Sequence, residues 1–183
     1  MSHVFKWTPC LAVTAAAIFT AAIPITAQSK IYVSIEQAQQ LMFQGAKLTH
    51  APIILNEQTR KIMREQSSVN HPFDSSRIWK TEQGEWFIVD EVVGKHEMIT
   101  YALGINAEGA IKQIEILEYR ESYGYQVSET AWRDQFIGKT SASAIKLNQD
   151  IKNISGATLS AKHLTDGIKR LLVMYQIALK NSQ

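Results

Sequence analysis

The sequence predicts an α+β fold, a single domain in which an antiparallel sheet is flanked by helices. Three observations carry that expectation. Four segments rich in β-branched and aromatic residues follow one another in mid-chain: residues 77–81, 86–93, 98–105 and 111–119. Two of the links between them carry turn residues, Glu82, Gln83 and Gly84 in one and Asn106, Ala107, Glu108 and Gly109 in the other. Links this short join antiparallel neighbours. Helical apolar periodicity stands on both sides of the block, near residues 35–66 and again after residue 128.

Each element has a local reason. Ser34, Ile35, Glu36 and Gln37 have the spacing of a capping box, and Ile35, Ala38, Leu41 and Met42 continue it as an apolar helical stripe. Asn56 is placed to cap a second helix over residues 56–66, with Arg60, Lys61, Arg64 and Glu65 on a solvated face. In residues 111–119, Ile111, Ile114 and Ile116 partly alternate with Glu115 and Glu118, as a half-buried strand would. Ser128 is expected to cap a short helix over 129–136, ended by Gly138. A last helix is expected over 160–179, with Leu164, Ile168, Leu171, Leu172, Tyr175 and Leu179 on one face. That stripe reads as core.

The first 27 residues read differently. Lys6 gives a short positive start, and residues 10–27 carry no charge and are rich in Ala, Ile and Thr. Pro24 and the small residue Ala27 fall where a signal peptidase would cut. The alternative is an uncleaved membrane anchor, for which the run is near the lower length limit. A lipoprotein site at Cys10 lacks the small apolar approach, because Trp7, Thr8 and Pro9 precede it. Either reading puts the folded part outside the cytoplasm, in the periplasm or an equivalent compartment, as residues 28–183. Of these, 28–76 form a helical amino-terminal part and 77–183 the part that carries the candidate site.

Composition narrows the function classes. The chain of 183 residues has a formal charge of +2, and the leader contributes one lysine and no acid. No basic stripe is left to grip nucleic acid. The one cysteine is in the leader, so disulfide frameworks, thiolate-held iron–sulfur clusters and covalent c-type haem are excluded from the mature chain. His50, His71, His96 and His163 are scattered without ligand spacing, and no metal site is expected. No Ser-His-acid set points to hydrolysis. Glu85, Asp90 and Glu91 read as solvated strand acids.

The densest chemistry is Ile154-Ser155-Gly156-Ala157-Thr158-Leu159-Ser160, just before the last helix. A helix start leaves four backbone N–H groups free and carries partial positive charge. Gly156 and Ala157 keep the approach open, and Ser155 and Ser160 add hydroxyls. The same residues also make an ordinary capped turn, and on physical grounds the two readings stand level. The spacing is not that of a Walker loop.

Ser155-Gly156-Ala157-Thr158, followed by apolar Leu159 and hydroxyl-bearing Ser160, resembles the flavinylation motif of the FMN-binding domain family. That family includes the C subunit of the sodium-translocating NADH:quinone reductase and the G subunit of the Rnf electron-transport complex. Residues 94–127, 131–140 and 154–172 resemble small secreted members in the same order, over roughly the carboxy-terminal half. The resemblance implies that Thr158 carries FMN through a phosphoester bond to its hydroxyl, made by a separate flavin transferase with FAD as donor. Ser155, Gly156, Ala157, Leu159 and Ser160 would surround the linkage. Tyr119, Tyr123, Tyr125 and Trp132 are weaker candidates to flank the ring, because aromatic faces stack on flat ligands, with core and loop packing as the alternative for each. Glu121 is a candidate because the resemblance implies that the loop after the long strand, residues 120–124, approaches the cofactor. Many members have an aspartate six residues before the acceptor. Here that position is Lys152, and the nearest acid is Asp150.

The function so implied is electron relay between membrane or periplasmic redox partners, by a carrier rather than a stand-alone enzyme. The rivals are a flavin-dependent reductase of a small acceptor and an unflavinylated binding or assembly module.

Overall fold

A computed structural model describes residues 30–180. The leader, with Lys6, Cys10 and Pro24, lies outside the described residues. The fold is α+β, as expected. Its strands are β1 (Lys30–Ile31), β2 (Leu48–His50), β3 (Ile78–Thr81), β4 (Trp86–Val93), β5 (Met98–Ile105) and β6 (Ile111–Tyr119). They form one antiparallel sheet in the order β1-β6-β5-β4-β3-β2. The helices are α1 (Ile35–Phe43), α2 (Glu57–Ser67), α3 (Thr130–Arg133) and α4 (Thr158–Met174), the last prolonged by a π-helical turn, Tyr175–Leu179.

Both amino-terminal caps form as the sequence spells them. The Ser34 hydroxyl accepts from Gln37 N, and Gln37 Oε1 accepts from Ser34 N. Asn56 Oδ1 accepts from Thr59 N at 2.8 Å. The buried face of α1 is Ala38, Met42 and Phe43, whereas Leu41 is half exposed.

The sheet is covered on both faces. Phe87, Val89, Ala102 and Leu117 pack with α1 on one side. Trp86, Ile88, Val92, Ile99, Tyr101, Leu103 and Ile105 pack under α2 and α4 on the other. Alternation along β4 and β5 therefore buries both sets of side chains. In β6 the pairing with β5 shifts at two bulges, between Gly104 and Ile105 and between Thr100 and Tyr101. Each bulge resets the alternation by one residue. Ile111, Ile114, Ile116 and Tyr119 all reach the α4 side, and Leu117 turns to α1. This is why the strand's sequence alternates only in part.

Several expectations are corrected. Ser128 does not cap a helix: its hydroxyl donates to Tyr125 O inside a 3-10 turn, Tyr125–Ser128. α3 starts at Thr130 and passes into another 3-10 turn, Asp134–Phe136. The last helix starts at Thr158, ahead of Ser160, because the turn ends at Ala157. Asp90 is not solvated.

Asp90 on β4 and Arg170 on α4 are each buried, and they pair bidentately: Arg170 Nη2 lies 2.6 and 2.7 Å from the two carboxylate oxygens. Tyr101 donates to Asp90 Oδ2 at 2.8 Å. Arg170 also donates to the carbonyls of His71 and Glu91 and lies over the Phe73 ring. Burial pushes the Asp90 carboxyl up, against the lowering effect of Arg170 and Tyr101. The half-buried acids Glu85 and Glu91 are also paired, with Lys112 and Arg77. One turn of helix before Arg170, a Cβ at Gly167 would stand 2.6 Å from Val92 Cγ1 and Tyr101 Oη. Helix and sheet are in direct contact there.

Removing one member of a buried ion pair strands the other. Arg170→Ala should lower unfolding stability by about 3–5 kcal/mol in urea titration. The double variant Asp90→Leu/Arg170→Met should lose far less, because no charge is left unpaired. An equal loss in the two would show that shape, not charge, holds this contact.

Candidate cofactor site

The amino end of α4 opens into a cavity of about 420 Å³. Three segments line it: Lys95 and His96 from the β4–β5 turn, Glu121, Ser122 and Tyr123 from the loop after β6, and Gly156, Ala157, Thr158, Leu159 and Ser160 from the helix start. The volume lies within the range of small-molecule sites.

The helix start is built from a turn closed by Ala157 N donating to Ile154 O at 3.0 Å. Gly156 takes φ 81°, with nothing within 4 Å of where a Cβ would stand. The cap residue is Ala157, and among the described residues no side chain caps the helix. The first-turn N–H groups therefore have no intrahelical or capping partner, and the dipole of a helix of 17 residues ends here. The Thr158 side chain is exposed, and its hydroxyl oxygen accepts from Asn153 Nδ2 at 3.3 Å. Among the described residues the hydroxyl donates no hydrogen bond to a protein acceptor.

The candidates fall into groups. Gly156, Ala157, Thr158, Leu159 and Ser160 line the cavity, as do Glu121 and Tyr123; Ser155 is exposed and does not. Tyr123 is 83% exposed, so its ring is free to meet a ligand or a partner. Ser160 is buried, and its hydroxyl shares a hydrogen bond of 3.0 Å with Tyr119. Tyr119 in turn donates to Tyr123 O at 2.5 Å. It sits behind the cavity, not in it, and burial holds its phenol above the usual range. Trp132 is in the core, edge-on to Phe136, with its indole N–H donating to Lys152 O.

Lys152 is fixed by its backbone at both ends, since its N–H donates to Gln135 Oε1, while its side chain is exposed. Asp150, the acid nearest Lys152 in the sequence, is engaged within its own loop. Its carboxylate accepts from Ile145 N and Lys146 N and pairs with Lys139 at 3.1 Å. Burial would raise this acid, but the Lys146 N–H, Lys139 and the Ile145 N–H hold it below the usual carboxylate range.

Sequence reasoning missed Lys95 and His96, because nothing local marks a turn residue as facing the start of a helix so far along the chain. His163, one of the scattered histidines, has a role that its spacing does not show. His163 Nδ1 lies 2.7 Å from Val93 O and 2.9 Å from Gly94 O. Carbonyls only accept, so this nitrogen carries the ring proton and ties α4 to the β4–β5 turn. Among the described residues no group of three or more His, Cys, Asp or Glu is placed to hold a metal.

Residues 94–173 match the family model of the FMN-binding domain. The matched stretch runs from the β4–β5 turn through almost all of α4, and it contains every residue that lines the cavity. The resemblance read from residues 155–160 is therefore borne out for this part of the chain: residues 94–173 are similar to the FMN-binding domains. A curated relative is the G subunit of the Na(+)-translocating ferredoxin:NAD(+) oxidoreductase complex of Acetobacterium woodii, 29% identical over 82 residues. That alignment covers 40% of this chain and 40% of the relative. β1 to β4, α1 and α2 lie outside the family match.

Gly124 is the tightest point of the loop. It has φ 92°, and a Cβ there would stand 2.6 Å from Tyr119 Oη and 3.0 Å from Ser160 Oγ. Gly156→Ala should cost only the left-handed conformation, about 1–2 kcal/mol. Gly124→Ala adds the collision and should cost more. Urea unfolding of the two variants checks the order; equal losses would show that the loop yields freely.

Proposed function

We propose that this chain is an exported electron-transfer flavoprotein whose FMN is joined to Thr158 by a phosphoester. The observation that carries the reading is one exposed hydroxyl at an uncapped helix start, opening into a cavity within the matched FMN-binding segment. The donor set suits this group: free N–H groups and a helix dipole favour a phosphate, and Leu159 and Tyr123 offer apolar and aromatic surface beside it. Bound FMN supplies one- and two-electron redox chemistry.

In maturation, Thr158 Oγ1 would attack the flavin-side phosphorus of FAD. The new Oγ1–P bond replaces the pyrophosphate linkage, the hydroxyl proton leaves, and AMP departs. A flavin transferase would supply the base for that proton. Gly156 and Ala157 leave room for the phosphate, Asn153 orients the Thr158 oxygen, and Tyr119 with Ser160 fixes the loop that carries Tyr123. A covalent tether keeps the cofactor in place at any flavin concentration, which suits a compartment without a flavin pool.

The relative's name makes it part of an oxidoreductase complex that translocates sodium ions. By analogy, we take redox proteins of the membrane or periplasm as partners for this chain. Among the described residues no helix is long and apolar enough to cross a membrane. Residues 1–27 would serve as leader or anchor, and residues 28–183 as the working domain.

Co-expression with a flavin transferase tests the reading. Wild type should give a fluorescent band on denaturing electrophoresis. Thr158→Ala should give none, and Thr158→Ser should keep one. A band that survives Thr158→Ala places the flavin elsewhere, and no band in wild type favours an unmodified binding module. Turnover with a saturable small acceptor would instead support a reductase.

A further inference from the structure

The β4–β5 turn is held from two directions. Gly94 N donates to Glu97 O at 2.7 Å across it. From α4, His163 binds the carbonyls of Val93 and Gly94. From the loop after β6, Glu121 Oε1 accepts from His96 N at 2.5 Å and Glu97 N at 2.9 Å. A Cβ at Gly94 would stand 2.7 Å from the same oxygen, so the carboxylate lies directly on the turn. Burial would raise the Glu121 carboxyl, but the N–H groups of Glu97, His96 and Lys95 bring it below the usual range. Glu121, the one acid among the described residues that line the cavity, thus has its charge directed into the turn's backbone. The residues that line the cavity from that turn are the two basic ones, Lys95 and His96, both exposed.

We propose that Lys95 and His96 are the ligand-facing basic groups of this site, set to favour the negative charge that reduction places on bound flavin, and that Glu121 is the residue that positions them. This rests on the flavin-carrier reading above. Neither basic residue belongs to the segment around Thr158, and Glu121 acts through the turn and not on the cofactor. Electrostatic groups fixed where charge develops are effective because they need not reorganise. The carboxylate supplies that fixation at a place where it would otherwise oppose the charge.

The sign of one shift separates this from its alternative. Deleting an acid that acts directly on the flavin raises the midpoint potential, because a negative neighbour disfavours the reduced form. Deleting an acid that holds two basic groups in place lowers it. The full chain is measured with and without flavin. In flavin-free protein, Glu121→Ala should speed amide hydrogen exchange at His96 and Glu97 by about tenfold or more. Glu121→Gln should keep much of the protection, since its amide oxygen still accepts. In flavinylated protein, Lys95→Ala/His96→Ala should lower the potential, Lys95→Arg should leave it near wild type, and Glu121→Ala should lower it too. A rise in Glu121→Ala, or unchanged exchange in the flavin-free variant, overturns the positioning role. An unchanged potential in the double variant overturns the role of Lys95 and His96. Wild type that takes up no flavin removes the carrier reading and the role of the two basic residues together, while the exchange result still decides whether Glu121 holds the turn.

Discussion

The buried pair between Asp90 and Arg170 fixes where α4 lies on the sheet, and the site depends on that placement. A charge pair out of water is held only if nearly every donor and acceptor is satisfied. Here Arg170 meets the carboxylate, two backbone carbonyls and an aromatic face, and Tyr101 takes a further bond to the acid. Such a network tolerates little sliding of helix against strand. Gly167 removes the last side chain that could keep the two apart. With the middle of α4 pinned to β4, its first turn must come out beside the turn that ends β4. His163 then ties the two directly.

Around that first turn, polar groups divide into those that build the site and those left open. Ser160, Tyr119 and the Tyr123 carbonyl are joined to one another and hold the loop after β6 against the helix. Glu121 holds the same loop against the β4–β5 turn. Asp150 and the backbone of Lys152 fix the segment that leads into the helix. What stays open beside the cavity is the Thr158 hydroxyl and the uncapped N–H groups, with Lys95 and His96 among the lining residues. An anionic, flat ligand tied at one end to a hydroxyl matches that set of donors.

The sequence was legible where structure is local. A capping box at Ser34, the Asn56 cap, the two Gly-bearing turns and the closing helix stripe each depend on residues within a few positions of one another. The stretch around Thr158 was legible for the same reason, as a run of consecutive residues. Long-range pairing was not. β2 is three residues long and is held by β3, which lies beyond the whole of α2 in the chain. Asp90 was misread because a strand acid gives no sign of an arginine 80 residues on. Arg170 itself sits beside an apolar stripe that gives no hint of an ion pair. Trp132 could have stacked on a ligand by composition, and only its bond to Lys152 O shows where it points. Ser160 carries a hydroxyl suited to a phosphate, yet tertiary contact turns it to Tyr119.

The proposed point of flavin attachment is the hydroxyl of Thr158. Peptide mass mapping of protein taken from its native envelope tests it most directly. The expected result is one peptide, spanning Thr158, that is heavier by FMN less water, with fragmentation locating the added mass on that threonine. The same peptide found only at its unmodified mass, in material fully recovered from the cell, would contradict it.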